Sequence, residues 1–191
     1  MVTATRQMAQ VGARQLELSN LDKELWPGEG VTKADLISYY VAVAERLLPH
    51  LAGRPLTLTR YPHGIAGDMF YQKDTPDYAP DWLPTYTVHS EDTNRNIRYM
   101  LAQEPAALAW LANQAVIEIH PWMSTIQHPE FPDYAVIDLD PSEGATFADA
   151  VEIAGLVHII LSKLGLVGFP KLSGATGIHI YVPLKPEYSS E

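Results

Sequence analysis

The chain has 191 residues, 47% of them hydrophobic and 19% charged, with a formal net charge of −10 and no cysteine. That composition supports one sizeable apolar core and excludes disulfides, thiolate metal sites and a cysteine nucleophile. The acidic balance excludes a protein that coats nucleic acid through a generally basic surface, although a local basic groove stays open.

Residues 1–15 read as a polar, flexible lead-in, and a single domain is expected over residues 16–191. No run approaches the ~18 apolar residues of a membrane span, and "MVTATRQMAQ" lacks the apolar stretch of a signal peptide. No membrane partner and a cytoplasmic setting are therefore expected. "LELSNLDKELWPGEG" ends in a loop marked by Pro27, Gly28 and Gly30. "VTKADLISYYVAVAERLLPHLAG" predicts a helix: Thr32 caps it with Asp35 three residues on, Leu36, Tyr40, Val43, Leu47 and Leu51 recur at helical spacing, and Gly53 stops it. "PLTLTRYPHG" alternates as a strand, with "DMFYQK" as its hairpin partner, and residues 74–86 read as irregular. "EPAALAWLANQA" opens a helix with Pro105 near its first position, "VIEIH" is a strand ending at His120, and "PWMSTIQHPEFPD" is again irregular.

An apolar strand then ends in "YAVIDLDPSEG". Alternate residues of a strand share a face, so Asp138 and Asp140 point the same way, their Cβ atoms roughly 6–7 Å apart. Both carboxylates can reach one divalent cation or bridge two, and with no thiol present hard oxygen donors favour Mg²⁺ or Mn²⁺. The simpler reading is a pair of acids that solvates the following turn. "ATFADAVEIAGLVHIILSKLG" predicts another helix, capped by Thr146 and Asp149 and stopped by Gly165; "FPKLS" and "IHIYVPL" are strands joined by the turn "GATG". In that turn Gly174 and Gly177 allow close approach of backbone N–H groups to an anion, Ser173 can donate a hydrogen bond, and His179 shares a face with Tyr181 opposite Ile178, Ile180 and Val182. A carboxylate pair for a cation beside a turn for phosphate is what a nucleoside triphosphate requires. Strands follow one another as well as alternating with helices, which predicts α+β rather than a doubly wound sheet.

From Leu18 onward the blocks "LSNLDKELWP", "TKADLISYY", "LLPHLAGRPLTLTRYPHG", "FYQKD", "WLANQAVIEIHPW", "VIDLDPSEG" and "FPKLSGATGIHIYVPL" stand in the order found in the polymerase domain of bacterial DNA ligase D, a member of the archaeo-eukaryotic primase superfamily, which the chain resembles. The resemblance implies a primase-polymerase-like core of mixed β-sheet with flanking helices, and a DNA-directed nucleotidyltransferase that adds nucleotides at gaps or breaks during non-homologous end joining. It implies Asp138 and Asp140 as catalytic, metal-binding carboxylates for Mn²⁺ or Mg²⁺. Ser173, Gly174, His179, His120 and Arg60 would bind the nucleotide, Lys23 and Lys33 the 5′-phosphate of DNA, and Phe70 would stack on the DNA. The implied partners are 5′-phosphorylated DNA ends or gaps, nucleoside triphosphates, a ligase module and an end-binding protein.

The chain departs from the family pattern twice. Thr176 stands where the family usually has a triphosphate-binding lysine, and the family's third catalytic aspartate is expected on a strand beyond Glu191. The domain is thus expected to be C-terminally incomplete, and its catalysis impaired. Taken without the resemblance, Lys23 and Lys33 are ordinary loop lysines, Phe70 a core residue, His120 a satisfied strand-end histidine, and Arg60 the partner of an acid such as Asp68. Two other functions stay open here: a non-catalytic module for 5′-phosphorylated DNA ends, and a haloacid-dehalogenase-type phosphohydrolase using "VIDLDPS". The latter motif normally opens its domain, whereas here it comes late.

Overall fold

The first element lies where the sequence predicts a flexible lead-in. In the computed structural model, which describes residues 6–189, β1 (Arg6–Val11) pairs antiparallel with β2 (Arg14–Ser19) around Gly12 at φ 57°. The lead-in to residue 15 is corrected accordingly; residues 1–5 lie outside the described residues. β1 is polar and mostly exposed, so nothing in its own pattern marks a strand, whereas β2 buries Leu16 and Leu18. The chain divides into two compact units, residues 1–122 and 123–191, where the sequence suggests one domain.

In the first unit, β3 (Glu24–Trp26) and β4 (Val31–Thr32) bracket the glycine loop, and the Glu24 carboxylate accepts the N–H groups of Gly28 and Gly30 at 2.9 and 3.0 Å. α1 (Lys33–Leu51) follows with the predicted capping box: Thr32 Oγ1 accepts from the Asp35 N–H at 3.3 Å, and Asp35 accepts from the Thr32 N–H at 2.8 Å. Two of the helix's orphan amides are satisfied in this way. Its apolar stripe of Leu36, Ile37, Tyr40, Ala44 and Leu51 packs into the same core as α2 (Pro105–Asn113). Every residue of α2 from Ala106 to Asn113 is buried, as expected for a helix apolar on all sides.

β5 (Leu56–Arg60) is the hub of the sheet. It pairs with β6 (Phe70–Gln72), the predicted hairpin partner, with β9 (Val116–Pro121) over its length, and with β8 (Arg95–Met100) at Leu56↔Met100. β7 (Thr85–Ser90) closes a further hairpin with β8. Leu25, Leu56, Leu58, Leu108 and Leu111 are at most 1% exposed, and full burial of each contributes ~1.5–3 kcal/mol.

In the second unit, β10 (Tyr134–Leu139) and β11 (Phe169–Leu172) flank β12 (Ile178–Pro183) in an antiparallel sheet of order β10-β12-β11. α3 (Phe147–Lys163) covers one face, bringing Ala150, Ala154, Val157 and Leu161 against Ile178, Ile180 and Val182. Its N-terminus carries the predicted Thr146–Asp149 capping box. Away from the sheet α3 presents Leu156, Ile159 and Ile160, each more than half exposed, and Leu164 just after it is 67% exposed. No helix of the described residues is long and apolar enough to cross a membrane.

Candidate active site

The face of the three-stranded sheet turned away from α3 carries the two acids. β10 and β12 run with Asp138 opposite His179 and Leu139 opposite Ile178, and continuing that register sets Asp140 opposite Gly177. Directly opposed residues of an antiparallel pair share a face, so Asp138, Asp140, His179 and Gly177 form one patch. Asp138 Oδ1 lies 3.5 Å from His179 Nε2, and both acids are exposed. Gly177 is what seats Asp140: a Cβ there would stand 2.4 Å from Asp140 Oδ1 and 2.6 Å from the Leu139 carbonyl oxygen.

The turn that follows β11 is closed by its own serine. Ser173 Oγ accepts from the Gly177 N–H at 3.0 Å and from the Ala175 N–H at 3.3 Å, and the Ser173 N–H donates to the Gly177 carbonyl at 3.0 Å. Two of the amides that the sequence suggests for an anion are therefore committed, which leaves the Ser173 hydroxyl proton as a donor. Gly174 holds φ 105° with nothing within 4 Å of a would-be Cβ, so its role is conformational. Thr176 is exposed. One basic residue that the motifs do not single out joins this face: Lys171 on β11 lies directly opposite His179. Its position emerges only from the strand register.

Two exposed carboxylates on adjacent same-face positions fit a divalent cation that keeps water and substrate oxygens in its shell, as Mg²⁺ usually does. They do not form a closed cage: among the described residues no group of three or more His, Cys, Asp or Glu is assembled for a metal ion.

The remaining candidates lie in the first unit. Arg60 on β5 is held by four hydrogen bonds: Nε to the Gln114 carbonyl at 2.9 Å, one terminal nitrogen to Gln72 Oε1 and the Tyr78 hydroxyl at 3.0 Å each, the other to Gln114 Oε1 at 3.3 Å. Its guanidinium carbon sits 5.2 Å from the centroid of the Phe70 ring. The simple reading of Arg60 as paired with Asp68 is corrected, since its partners are neutral amides and a phenol. Phe70 is 44% exposed on β6, not a core residue.

Lys23 donates to the Pro62 carbonyl. Lys33 is buried and donates to the carbonyls of Ser19 at 2.7 Å and Asn113 at 2.9 Å. Its pKa is lowered to about 8, first by burial and then by the positive charges of Lys23 and Arg60. Three cations thus share one region without a carboxylate partner for any of them among the described residues.

His120 is exposed at the end of β9. Its Nε2 lies 2.9 Å from Thr59 Oγ1 and 3.3 Å from Glu118 Oε2. Glu118 in turn accepts from the Tyr61 hydroxyl at 2.5 Å, which pushes the phenol's pKa up to about 12. Glu118 shares a strand face with His120 two residues on, a proximity that alternation along "VIEIH" carries, whereas Thr59 and Tyr61 reach this cluster only through the β5–β9 pairing.

Residues 32–191 match the family model described as LigD, primase-polymerase domain. The chain is 38% identical over 192 aligned positions to the multifunctional non-homologous end joining DNA repair protein LigD of Mycobacterium tuberculosis, spanning 96% of this chain and 25% of that protein. It is 38% identical over 173 positions to the bifunctional non-homologous end joining protein LigD of Bacillus subtilis, spanning 91% of this chain and 27% of that protein. The solved polymerase domain from M. tuberculosis ligase D in complex with DNA superposes with a TM-score of 0.80 at 38% identity, covering 88% of this chain and 61% of that one. The chain therefore spans about a quarter of the length of these curated relatives.

Proposed function

The chain belongs to the LigD primase-polymerase domain family, and from that premise we propose that it is a nucleotidyltransferase that extends a DNA 3′-end at gaps or breaks during end joining. The observation that carries this reading is the exposed face on which Asp138 and Asp140 run in register with His179 and Gly177. A bound Mn²⁺ or Mg²⁺ would neutralise the triphosphate and lower the pKa of the attacking 3′-hydroxyl. Asp138 and Asp140 would hold it.

Ser173 would donate its free hydroxyl proton to a phosphate oxygen, and His179, beside Asp138, would donate from its ring. His120, steadied by Glu118 and Thr59, and Arg60, steadied by Gln114 and Gln72, are assigned to the nucleotide on family grounds. Lys23 and Lys33 are assigned to the 5′-phosphate at the downstream DNA end. Three neighbouring cations, none with an acid partner among the described residues, supply the positive potential an anion needs there. Phe70, exposed and backed by Arg60, offers a ring for stacking, worth ~1–3 kcal/mol per base. A cytoplasmic setting, a ligase module and an end-binding protein as partners belong to the same proposal. Family membership sets the phosphohydrolase reading aside.

The test is Mn²⁺ binding by electron paramagnetic resonance together with extension of a gapped primer by one or a few nucleotides. Wild-type protein should bind the ion and extend the primer, and Asp138→Ala and Asp140→Ala should each lose both. Extension undiminished in either variant refutes the assignment of the acids. Release of phosphate from a generic phosphate ester would favour the phosphohydrolase instead.

A further inference from the structure

We propose that Lys171 is the cation that binds the nucleotide's phosphates on the acidic face, taking the part that Thr176 cannot. The proposal rests on the nucleotidyltransferase reading and adds the residue that makes it electrostatically workable. Residues 123–191 contain nine acidic residues, three lysines and no arginine. A triphosphate approaching Asp138 and Asp140 therefore meets a strongly negative unit, and a bound divalent ion offsets only part of that charge. The turn does not make up the difference. Ser173 Oγ takes the N–H groups of Ala175 and Gly177, and Thr176 brings a hydroxyl without charge.

Of the three lysines, geometry selects one. Lys163 closes the last turn of α3, on the opposite side of the sheet. Lys185 follows β12, six residues past His179 and so about 20 Å along the chain if extended. Lys171 lies directly across from His179, which lies directly across from Asp138. The three side chains form a row over β11, β12 and β10, acid at one end and ammonium at the other, about 10 Å apart by two strand spacings. At that distance Lys171 does not neutralise Asp138. Its ammonium donates to the Leu172 carbonyl at 2.8 Å and is otherwise exposed, so donors remain for an anion. A metal–triphosphate laid along the row would place the metal at the acids and a phosphate at Lys171, with His179 between.

The experiment measures binding of a nucleoside triphosphate and of the same nucleoside without phosphates to the full chain, by calorimetry with Mn²⁺ present, across a salt series. Lys171→Gln should weaken triphosphate binding about 10- to 100-fold, the range for a charge-assisted hydrogen bond. It should also flatten the salt dependence and leave nucleoside binding and the melting temperature unchanged. Lys171→Arg should stay near wild type, and Lys171→Gln with Thr176→Lys should recover most of the loss. Triphosphate binding by Lys171→Gln within twofold of wild type overturns the proposal and leaves the nucleotidyltransferase reading standing. Wild-type protein that binds no triphosphate overturns both.

Discussion

Replacing Gly177 with alanine isolates the seat of Asp140. The glycine's φ lies outside the left-handed region, so alanine meets no backbone penalty and the effect is steric. Its Cβ would stand 2.4 Å from Asp140 Oδ1 and 2.6 Å from the Leu139 carbonyl oxygen, where ordinary contact begins at 3.4 Å. The exposed carboxylate can swing aside, but the carbonyl belongs to the end of β10, where Leu139 pairs with Ile178, and moving it by most of an ångström disturbs that ladder. Overpacking of this kind costs ~1–3 kcal/mol. About 2 kcal/mol converts to a fall of about 4–8 °C in Tm for a chain of this size. Calorimetric melting reads the stability and electron paramagnetic resonance reads Mn²⁺ affinity, which should fall together as Asp140 leaves the row with Asp138. Gly174→Ala is the control: its φ of 105° makes it strained, yet nothing lies within 4 Å, so it should lower the Tm and spare Mn²⁺ binding. A Gly177→Ala protein that melts within 1 °C of wild type and binds Mn²⁺ unchanged would refute the reasoning.

Lys33 holds protons less tightly folded than unfolded, because burial lowers its pKa to about 8, well below that of a free lysine in the unfolded chain. The unfolded chain thus binds more protons between those values, and stability rises with pH across that window. Urea midpoints at pH 7.5, 9 and 10 should show the rise in wild type and lose it in Lys33→Met, while affinity for a 5′-phosphorylated end should fall as pH climbs past 8. Asn113→Ala should cost ~2–4 kcal/mol in urea unfolding, because its side chain accepts the Ser19 N–H at 3.0 Å and donates to the Glu17 carbonyl at 3.1 Å, and both groups would lose a partner in a largely buried place. Gly155→Ala, in α3 with nothing within 4 Å of the added Cβ, should raise stability by ~0.5–1 kcal/mol; a fall in Tm would contradict the open surface there.

The elements with strong local signals were legible from residues alone. Thr32 with Asp35 and Thr146 with Asp149 announced two helices, Pro105 announced the third, and the period-two run of "PLTLTR" announced the central strand. The two hairpins were not legible for a shared reason. In each, one strand is polar and largely exposed (β1, β7), and the apolar pattern is confined to a short partner, Leu16 and Leu18 in β2 and Ile97 and Tyr99 in β8, too brief a signal to announce the hairpin. At the site, Asp138, Asp140 and His179 could be placed on one face by counting along each strand. The contacts of Lys171, Thr59 and Tyr61 depend on which strands pair and in what register, and single-strand periodicity does not carry that. Lys33 reads in sequence as a solvated loop lysine. Only the folded chain brings the carbonyls of Ser19 and Asn113 to its ammonium.

The outer row of Leu156, Ile159, Ile160 and Leu164 bears on how this protein behaves in a test tube. Molecules carrying a net charge of −10 hold one another off in dilute buffer. Raising the ionic strength from about 0.15 to 1 M shortens the range of that repulsion from about 8 to 3 Å, while sulfate strengthens the attraction between oily surfaces. Light scattering should therefore climb reversibly on addition of ammonium sulfate, and exchanging Leu156 and Ile160 for glutamine should move the onset to higher concentrations.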